Sequence, residues 1–306
     1  MTPFELGGLI AAPYTPFDPS GLLNLSVIEK QAASLINNGV KGAFICGTTG
    51  EGLSMTTAER MQVAQGWVDV CRGGPLKVIV HVGHNSQNDC IALATHAKQI
   101  GAQALAALPP FFFKPAGPDQ LIQFLQPIAA AANPLPFYFY HIPSMTGVHL
   151  VMSELLQFAP QIPNFRGIKF THSDLMDYQV CRKCAGGKYE IAWGFDEMLL
   201  GALAVGATSA VGSTYNYAAA NYTRMIAAYE KGDLETARQC AARSVDIVSI
   251  LLKHGGLRTG KTIMALAGID CGPTRSPVPP LNSKETASVR QSLEQIGFFD
   301  WAMVKG

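Results

Sequence analysis

The chain has 306 residues, 48% of them hydrophobic and 15% charged, with a formal net charge of +1. That length fits a single α/β barrel, while a charge so near zero gives no electrostatic footprint for nucleic acid or an anionic membrane. Every apolar run is cut by Pro, Gly or charge before it reaches a membrane span, residues 1–6 lack the parts of a signal peptide, and seven scattered cysteines suit reduced thiols in a cytoplasmic protein better than a disulfide framework.

Short apolar, β-branched or aromatic runs alternate with longer helical stretches. The pattern predicts strands over 8–12, 42–46, 77–82, 104–108, 136–141, 167–171, 190–193 and 209–212. Helices are predicted over 26–37, 57–70, 87–100, 118–131, 152–158, 174–184 and 197–205. Start signals stand at Asn24 or Ser26, at Thr56 or Thr57, and at Ser86; Gly39, Gly101 and Gly206 supply stops. Eight strands, each followed by a helix, make a (β/α)₈ barrel. Most of the strands are continuous apolar runs, as parallel strands buried on both faces require. No G-x-G-x-x-G opens the first βα turn, which argues against a doubly wound dinucleotide fold. Beyond Gly212 the pattern stays helical, over 217–230, 234–253, 262–267 and 285–296. The expected organisation is a catalytic barrel over 1–216. Residues 217–306 then supply the last barrel helix and a C-terminal helical extension of the same unit.

Three motifs are set aside. Cys181-Arg182-Lys183-Cys184 lies in a predicted helix with no second Cys or His pair to complete a zinc site. His81 and His84 follow a strand and need not converge. Gly255-Gly256-Leu257-Arg258-Thr259-Gly260-Lys261-Thr262 fits G-x-x-x-x-G-K-[ST], but a phosphate loop must follow a strand. The preceding segment instead spaces Leu234, Ala237, Ala241, Val245, Val248 and Leu252 as one helix face. The only acid in place to hold Mg²⁺, Asp270, follows Lys261 too closely.

Barrel active sites lie at the C-terminal strand ends, and these ends collect the chemistry. The sixth ends at Lys169, an ammonium in an apolar run, Phe165-Arg166-Gly167-Ile168-Lys169-Phe170-Thr171, without an acidic neighbour. Such a lysine either snorkels to solvent or, if buried, loses pKa and becomes a nucleophilic amine. The second ends in Gly47-Thr48-Thr49-Gly50-Glu51, where hydroxyls and backbone N–H groups can hold a carboxylate, or where the threonines merely cap the next helix. The fifth ends in Tyr140-His141-Ile142-Pro143, with Tyr140 either an acid/base or an aromatic barrel residue. The seventh ends in Gly194-Phe195-Asp196-Glu197, two acids that also suit a helix start. The eighth ends in Val211-Gly212-Ser213-Thr214. A lysine nucleophile, a tyrosine acid/base and a carboxylate cradle fit chemistry on a 2-keto acid, with the imine as electron sink.

Residues 47–51, 140–143 and 167–171 together resemble the signatures of the pyruvate-dependent class I aldolases, the dihydrodipicolinate synthase and N-acetylneuraminate lyase superfamily. The resemblance runs from about Leu6 to the last helix. Tyr140-His141-Ile142-Pro143, Lys169-Phe170-Thr171, Gly194-Phe195-Asp196-Glu197 and Gly212-Ser213-Thr214-Tyr215-Asn216-Tyr217 resemble the animal-type lyase branch. The synthase branch carries an anion-binding arginine where this chain has Met145.

The resemblance implies that Lys169 forms the Schiff base and Tyr140 moves the proton, while Thr48 and Thr49 hold the substrate carboxylate. Thr171, Gly194, Asp196, Glu197 and Ser213 would line the sugar end. It implies no metal and no cofactor beyond the covalent imine, a small-molecule substrate, a cytoplasmic location and a homotetramer. Many relatives place a relay tyrosine where this chain has Phe111-Phe112-Phe113, so the relay here is expected to run through Tyr140, a threonine and water or substrate. Two alternatives stay open: an aldolase for another 2-keto-3-deoxy sugar acid, and a non-catalytic keto-acid-binding barrel.

Overall fold

The computed structural model describes residues 4–302. Its centre is a closed barrel of eight parallel strands in chain order: β1 (Gly8–Ala11), β2 (Gly42–Ile45), β3 (Lys77–His81), β4 (Ala104–Ala107), β5 (Phe137–His141), β6 (Phe165–Phe170), β7 (Glu190–Trp193) and β8 (Ser209–Gly212). β1 pairs with β8 from Gly8↔Ser209 to Ala11↔Gly212 and closes the ring. All eight strands therefore stand where the sequence pattern puts them. Five strands differ by one residue at a single end, β7 and β8 match at both ends, and β6 begins two residues earlier, at Phe165, and ends one earlier.

Period-two alternation divides each strand between two cores. On β5, Tyr138 and Tyr140 face the barrel interior with Ile10, Phe44, Ile79 and Val211. Phe137 and Phe139 point outward into the layer beneath the helices. On β6, Ile168 and Phe170 also join the outer layer. Phe170 stacks on Trp193 at 6.2 Å and meets Tyr178, of helix Leu175–Lys183, edge-on at 5.5 Å. Aromatic pairs of this kind are each worth about 0.5–1.5 kcal/mol beyond their buried area. They fix the strand so that the side chain between Ile168 and Phe170 must point inward, and that side chain is Lys169.

At the N-terminal end of the barrel, Glu190 accepts from the backbone N–H of Leu6 and Gly7 and from the Tyr138 hydroxyl at 2.7 Å.

Helices Gln87–Ile100, Pro118–Ala131, Met152–Phe158 and Leu234–Lys253 have the bounds read from the sequence. Thr56, not Thr57, caps its helix, in a capping box with Glu59. Ser86 caps the next. Ser26 precedes helix Val27–Asn37 without a side-chain cap, and its hydroxyl bonds Asn24 instead. The segment predicted as one helix over 197–205 is a 3₁₀ turn, Asp196–Met198, followed by helix Leu199–Ala204. The predicted helix over 262–267 begins five residues earlier, at Leu257. Two glycines in left-handed backbone, Gly255 and Gly256, reverse the chain between it and helix Leu234–Lys253. The nucleotide-loop lookalike therefore follows a helix and places Lys261 inside one.

Candidate active site

A cavity of about 400 Å³ opens at the C-terminal ends of the strands. All nine site residues expected from the sequence line it: Thr48, Thr49, Tyr140, Lys169, Thr171, Gly194, Asp196, Glu197 and Ser213. A surface cleft of about 430 Å³ on the outer side of helix Leu257–Leu266 offers no comparable nucleophile, since its buried lysine, Lys261, is already ion-paired.

Lys169 is 5% exposed. Its Nζ lies 4.0 Å from the ring centre of Tyr140 and 4.1 Å from that of Phe44. Aromatic faces attract a cation, but they solvate it far less than water does. Burial pushes its pKa down to about 7, against the pull of the Asp196 carboxylate. The side chain does not snorkel to solvent. Near neutral pH it spends a substantial share of its time as a free amine.

Tyr140 lies at the same level as Lys169, paired with it in the β5–β6 register. Its Oη stands 3.3 Å from Thr48 Oγ1, within hydrogen-bond reach. Burial pushes its pKa up to about 12; the hydroxyls of Thr48 and Thr171 oppose this, and Asp196 reinforces it. Tyr140 therefore stays a phenol at neutral pH. It can move a proton only by taking one as it gives up its own.

Thr48 and Thr49 cap nothing. The turn that follows is the 3₁₀ segment Gly52–Ser54, and the next helix is capped by Thr56. Their hydroxyls are left to face the cavity. At the opposite wall Asp196 Oδ2 accepts from the Thr214 N–H at 2.8 Å and its hydroxyl at 2.6 Å. Burial raises the pKa of both Asp196 and Glu197. Glu197 makes no ion pair among the described residues. Two glycines make room for this wall. A Cβ on Gly194 would sit 2.0 Å from Thr171 Oγ1, and one on Gly212 would sit 1.7 Å from Asp196 Oδ1.

Sequence reasoning missed the outer wall. Val248, Leu251 and Leu252, at the end of helix Leu234–Lys253, line the cavity with Leu257 and Val278. The C-terminal extension is thus part of the site. Tyr14 was missed as well; it lines the floor beside Ala12 and stacks on Tyr217 at 6.5 Å.

The set-aside motifs find ordinary places. His81 is buried, with Nδ1 3.1 Å from the Cys46 carbonyl, whereas His84 accepts from the Ser86 N–H. The two cysteines of the C-x-x-C are free. No group of three or more His, Cys, Asp or Glu that could hold a metal occurs among the described residues. Phe112 and Phe113 are 75% and 86% exposed, with their rings edge to face at 5.0 Å.

A strand-end lysine stripped of solvent, a phenol touching a threonine, and a hydroxyl-lined turn on a (β/α)₈ barrel define a Schiff-base barrel of the aldolase kind. The chain belongs to the dihydrodipicolinate synthetase family, whose sequence profile it matches over residues 5–296. Among its relatives, it is 42% identical to the N-acetylneuraminate lyase of Mus musculus, over 98% of this chain and 96% of that one. Its fold superposes on the Proteus mirabilis N-acetylneuraminate lyase with a TM-score of 0.93 at 41% identity, covering 95% of this chain and 99% of that one. The native N-acetylneuraminate lyase (sialic acid aldolase) of Aliivibrio salmonicida gives 0.92 at 42% identity, with 95% and 97% covered.

Proposed function

We propose that this protein is a class I aldolase that reversibly cleaves N-acetylneuraminate to N-acetylmannosamine and pyruvate. The observation that carries the chemistry is Lys169, buried at the end of β6 between two aromatic rings and facing a hydroxyl-lined turn. The substrate assignment is supported by the lyases to which the chain is similar along nearly its whole length.

The Lys169 amine adds to the C2 ketone of the open-chain sugar, and loss of water leaves a protonated imine. Thr48 and Thr49 hold the carboxylate by hydrogen bonds. Tyr140 accepts the proton of the C4 hydroxyl as it passes its own to the substrate carboxylate. The C3–C4 bond breaks and its electron pair moves into the imine, giving an enamine and the free aldehyde, N-acetylmannosamine. Protonation of the enamine carbon and addition of water then release pyruvate and regenerate the amine. Thr171, Gly194, Asp196, Glu197 and Ser213 form the surface that meets the hydroxyl-bearing tail. The imine is the electron sink, so neither metal nor organic cofactor enters the cycle.

The working form is read as a homotetramer in the cytoplasm, acting on a small molecule rather than on nucleic acid or a membrane. No described helix is long and apolar enough to cross a membrane. Residues 217–306 are read as an extension of the 1–216 barrel, not as a separate domain.

The test is a pyruvate-release assay over a panel of keto sugar acids, with borohydride trapping. N-acetylneuraminate should be the preferred substrate, and reduction in the presence of pyruvate should add its mass to Lys169 alone. A modified peptide elsewhere would sink the mechanism.

A further inference from the structure

The turn that carries Thr48 and Thr49 is held in backbone conformations that its own residues disfavour. Cys46 and Glu51, neither of them glycine, have φ of +57° and +53°. Side chains avoid this region unless the surroundings enforce it. Gly52 closes the turn so tightly that a Cβ there would meet the Cys46 carbonyl oxygen at 1.9 Å. Thr15 Oγ1 ties down the Gly50 carbonyl at 2.6 Å.

The side chain of Glu51 runs away from the cavity into the C-terminal extension. Its Oε1 lies 2.8 Å from Lys261 Nζ, with the two side chains 1% and 3% exposed. Its Oε2 accepts from the Arg275 backbone N–H at 2.8 Å. Lys261 also donates to the Pro273 carbonyl at 2.7 Å and lies over the Phe17 ring at 4.2 Å. Arg275 is anchored in turn by Glu59, at 2.6 and 2.9 Å, and by the Gly21 carbonyl. An anionic Glu51 so near a carboxylate cradle would repel the substrate were its charge not cancelled in place.

We propose that Glu51 and Lys261 are positioning residues: their buried ion pair clamps the left-handed turn from behind and sets Thr48 and Thr49 at the spacing that receives a substrate carboxylate. The lysine of the nucleotide-loop lookalike thus serves the keto-acid site from a helix outside the barrel. Leu257, one turn earlier on the same helix, lines the cavity itself.

The inference rests on the aldolase reading and is tested by a ratio. Borohydride trapping on Lys169 is measured with pyruvate and with hydroxyacetone, a ketone of similar size without a carboxylate. The proteins compared are the parent, Glu51→Gln, and the double variant Glu51→Gln/Lys261→Met. A clamp that shapes only the cradle predicts that trapping of pyruvate falls by about tenfold or more in both variants, because small misplacements of positioning groups are costly. Hydroxyacetone trapping should change by less than about threefold, whereas general damage would slow both ketones alike. If Glu51→Gln does not fold, the double variant decides, since it strands neither charge in the interior. An unchanged ratio in a folded variant overturns the clamp. So does tighter use of pyruvate by Glu51→Gln, which would mean that the carboxylate responds to the freed charge of Lys261 and not to the shape of the turn. Failure of the parent to trap either ketone on Lys169 would instead overturn the aldolase reading.

Discussion

Lys169 Nζ lies 4.0 Å above the ring of Tyr140, and the two residues occupy paired positions on adjacent parallel strands. One register thus places the amine and the phenol at the same depth in the barrel. A one-residue slip of β6 against β5 would turn Lys169 into the outer layer. The same ring that shields the amine from water carries a hydroxyl within reach of Thr48.

Imine formation needs the free amine, so pyruvate trapping should rise with pH through about 7, the pKa to which burial brings Lys169. Asp196 pulls that value upward. Asp196→Asn should therefore move the midpoint to lower pH, as read from trapping rates across a buffer series. A midpoint near that of free lysine would show that the amine is solvated.

Loss of the Tyr140 hydroxyl should separate the two halves of the reaction. Tyr140→Phe is expected to keep imine trapping while slowing carbon–carbon cleavage by roughly 10²–10⁴-fold, the usual worth of general acid–base help. Single-turnover kinetics would check this; cleavage at the parent's rate would put the shuttle on another group.

Burying the Lys169 amine has a stability cost with a definite sign. The folded pKa of Lys169 lies below the unfolded value, so between about 7 and 10.5 the unfolded chain binds the extra proton. Lys169 therefore destabilises the fold fully below about pH 7, and the penalty fades as pH rises towards 10.5. Lys169→Met should raise stability at neutral pH by a few kcal/mol, because each tenfold weakening of proton binding corresponds to about 1.4 kcal/mol. Denaturant unfolding at pH 7 and pH 10 checks both the gain and its decline. A gain that grows with pH would refute the assignment.

Glu197 should read the length of the substrate. An acceptor meant for hydroxyls is left desolvated and unpaired when the substrate lacks them. Glu197→Ala should lower the ratio of kcat/KM for N-acetylneuraminate over 2-keto-3-deoxygluconate, while pyruvate still traps on Lys169. Were the parent to prefer the six-carbon acid, the alternative aldolase reading would win.

With the imine as electron sink, exhaustive chelation should leave turnover intact. Loss of activity restored by Zn²⁺ or Mg²⁺ would move the protein to a metal-dependent mechanism.

The barrel was legible in the sequence because its strands are apolar on both faces, and strand ends then point to the site. Lys169 stood out for the same reason: a cation between Ile168 and Phe170 contradicts its surroundings. The helix at Leu257 was read five residues late because glycines at 255, 256 and 260 weaken the local signal, and tertiary packing overrides that weakness. The outer wall could not be read at all. Nothing in the periodicity of helix Leu234–Lys253 says that its last turn folds back over the mouth of the barrel. Glu51 looked like one more polar residue of a glycine-rich turn, since its partner Lys261 lies 210 positions further along the chain.

The bare Cα atoms at Gly194 and Gly212 divide the cavity into a part that tolerates redesign and a part that does not. Any side chain introduced at either glycine collides with Thr171 or with Asp196, so a mutant library built on the inner wall would consist largely of dead proteins. The rim behaves otherwise. Leu252 is 74% exposed yet still borders the cavity, and Met145 is 66% exposed on another side. Side chains exchanged there can grow into solvent without disturbing the lysine. A laboratory seeking new aldehyde acceptors for carbon–carbon bond formation would do best to randomise the rim and leave the glycines untouched.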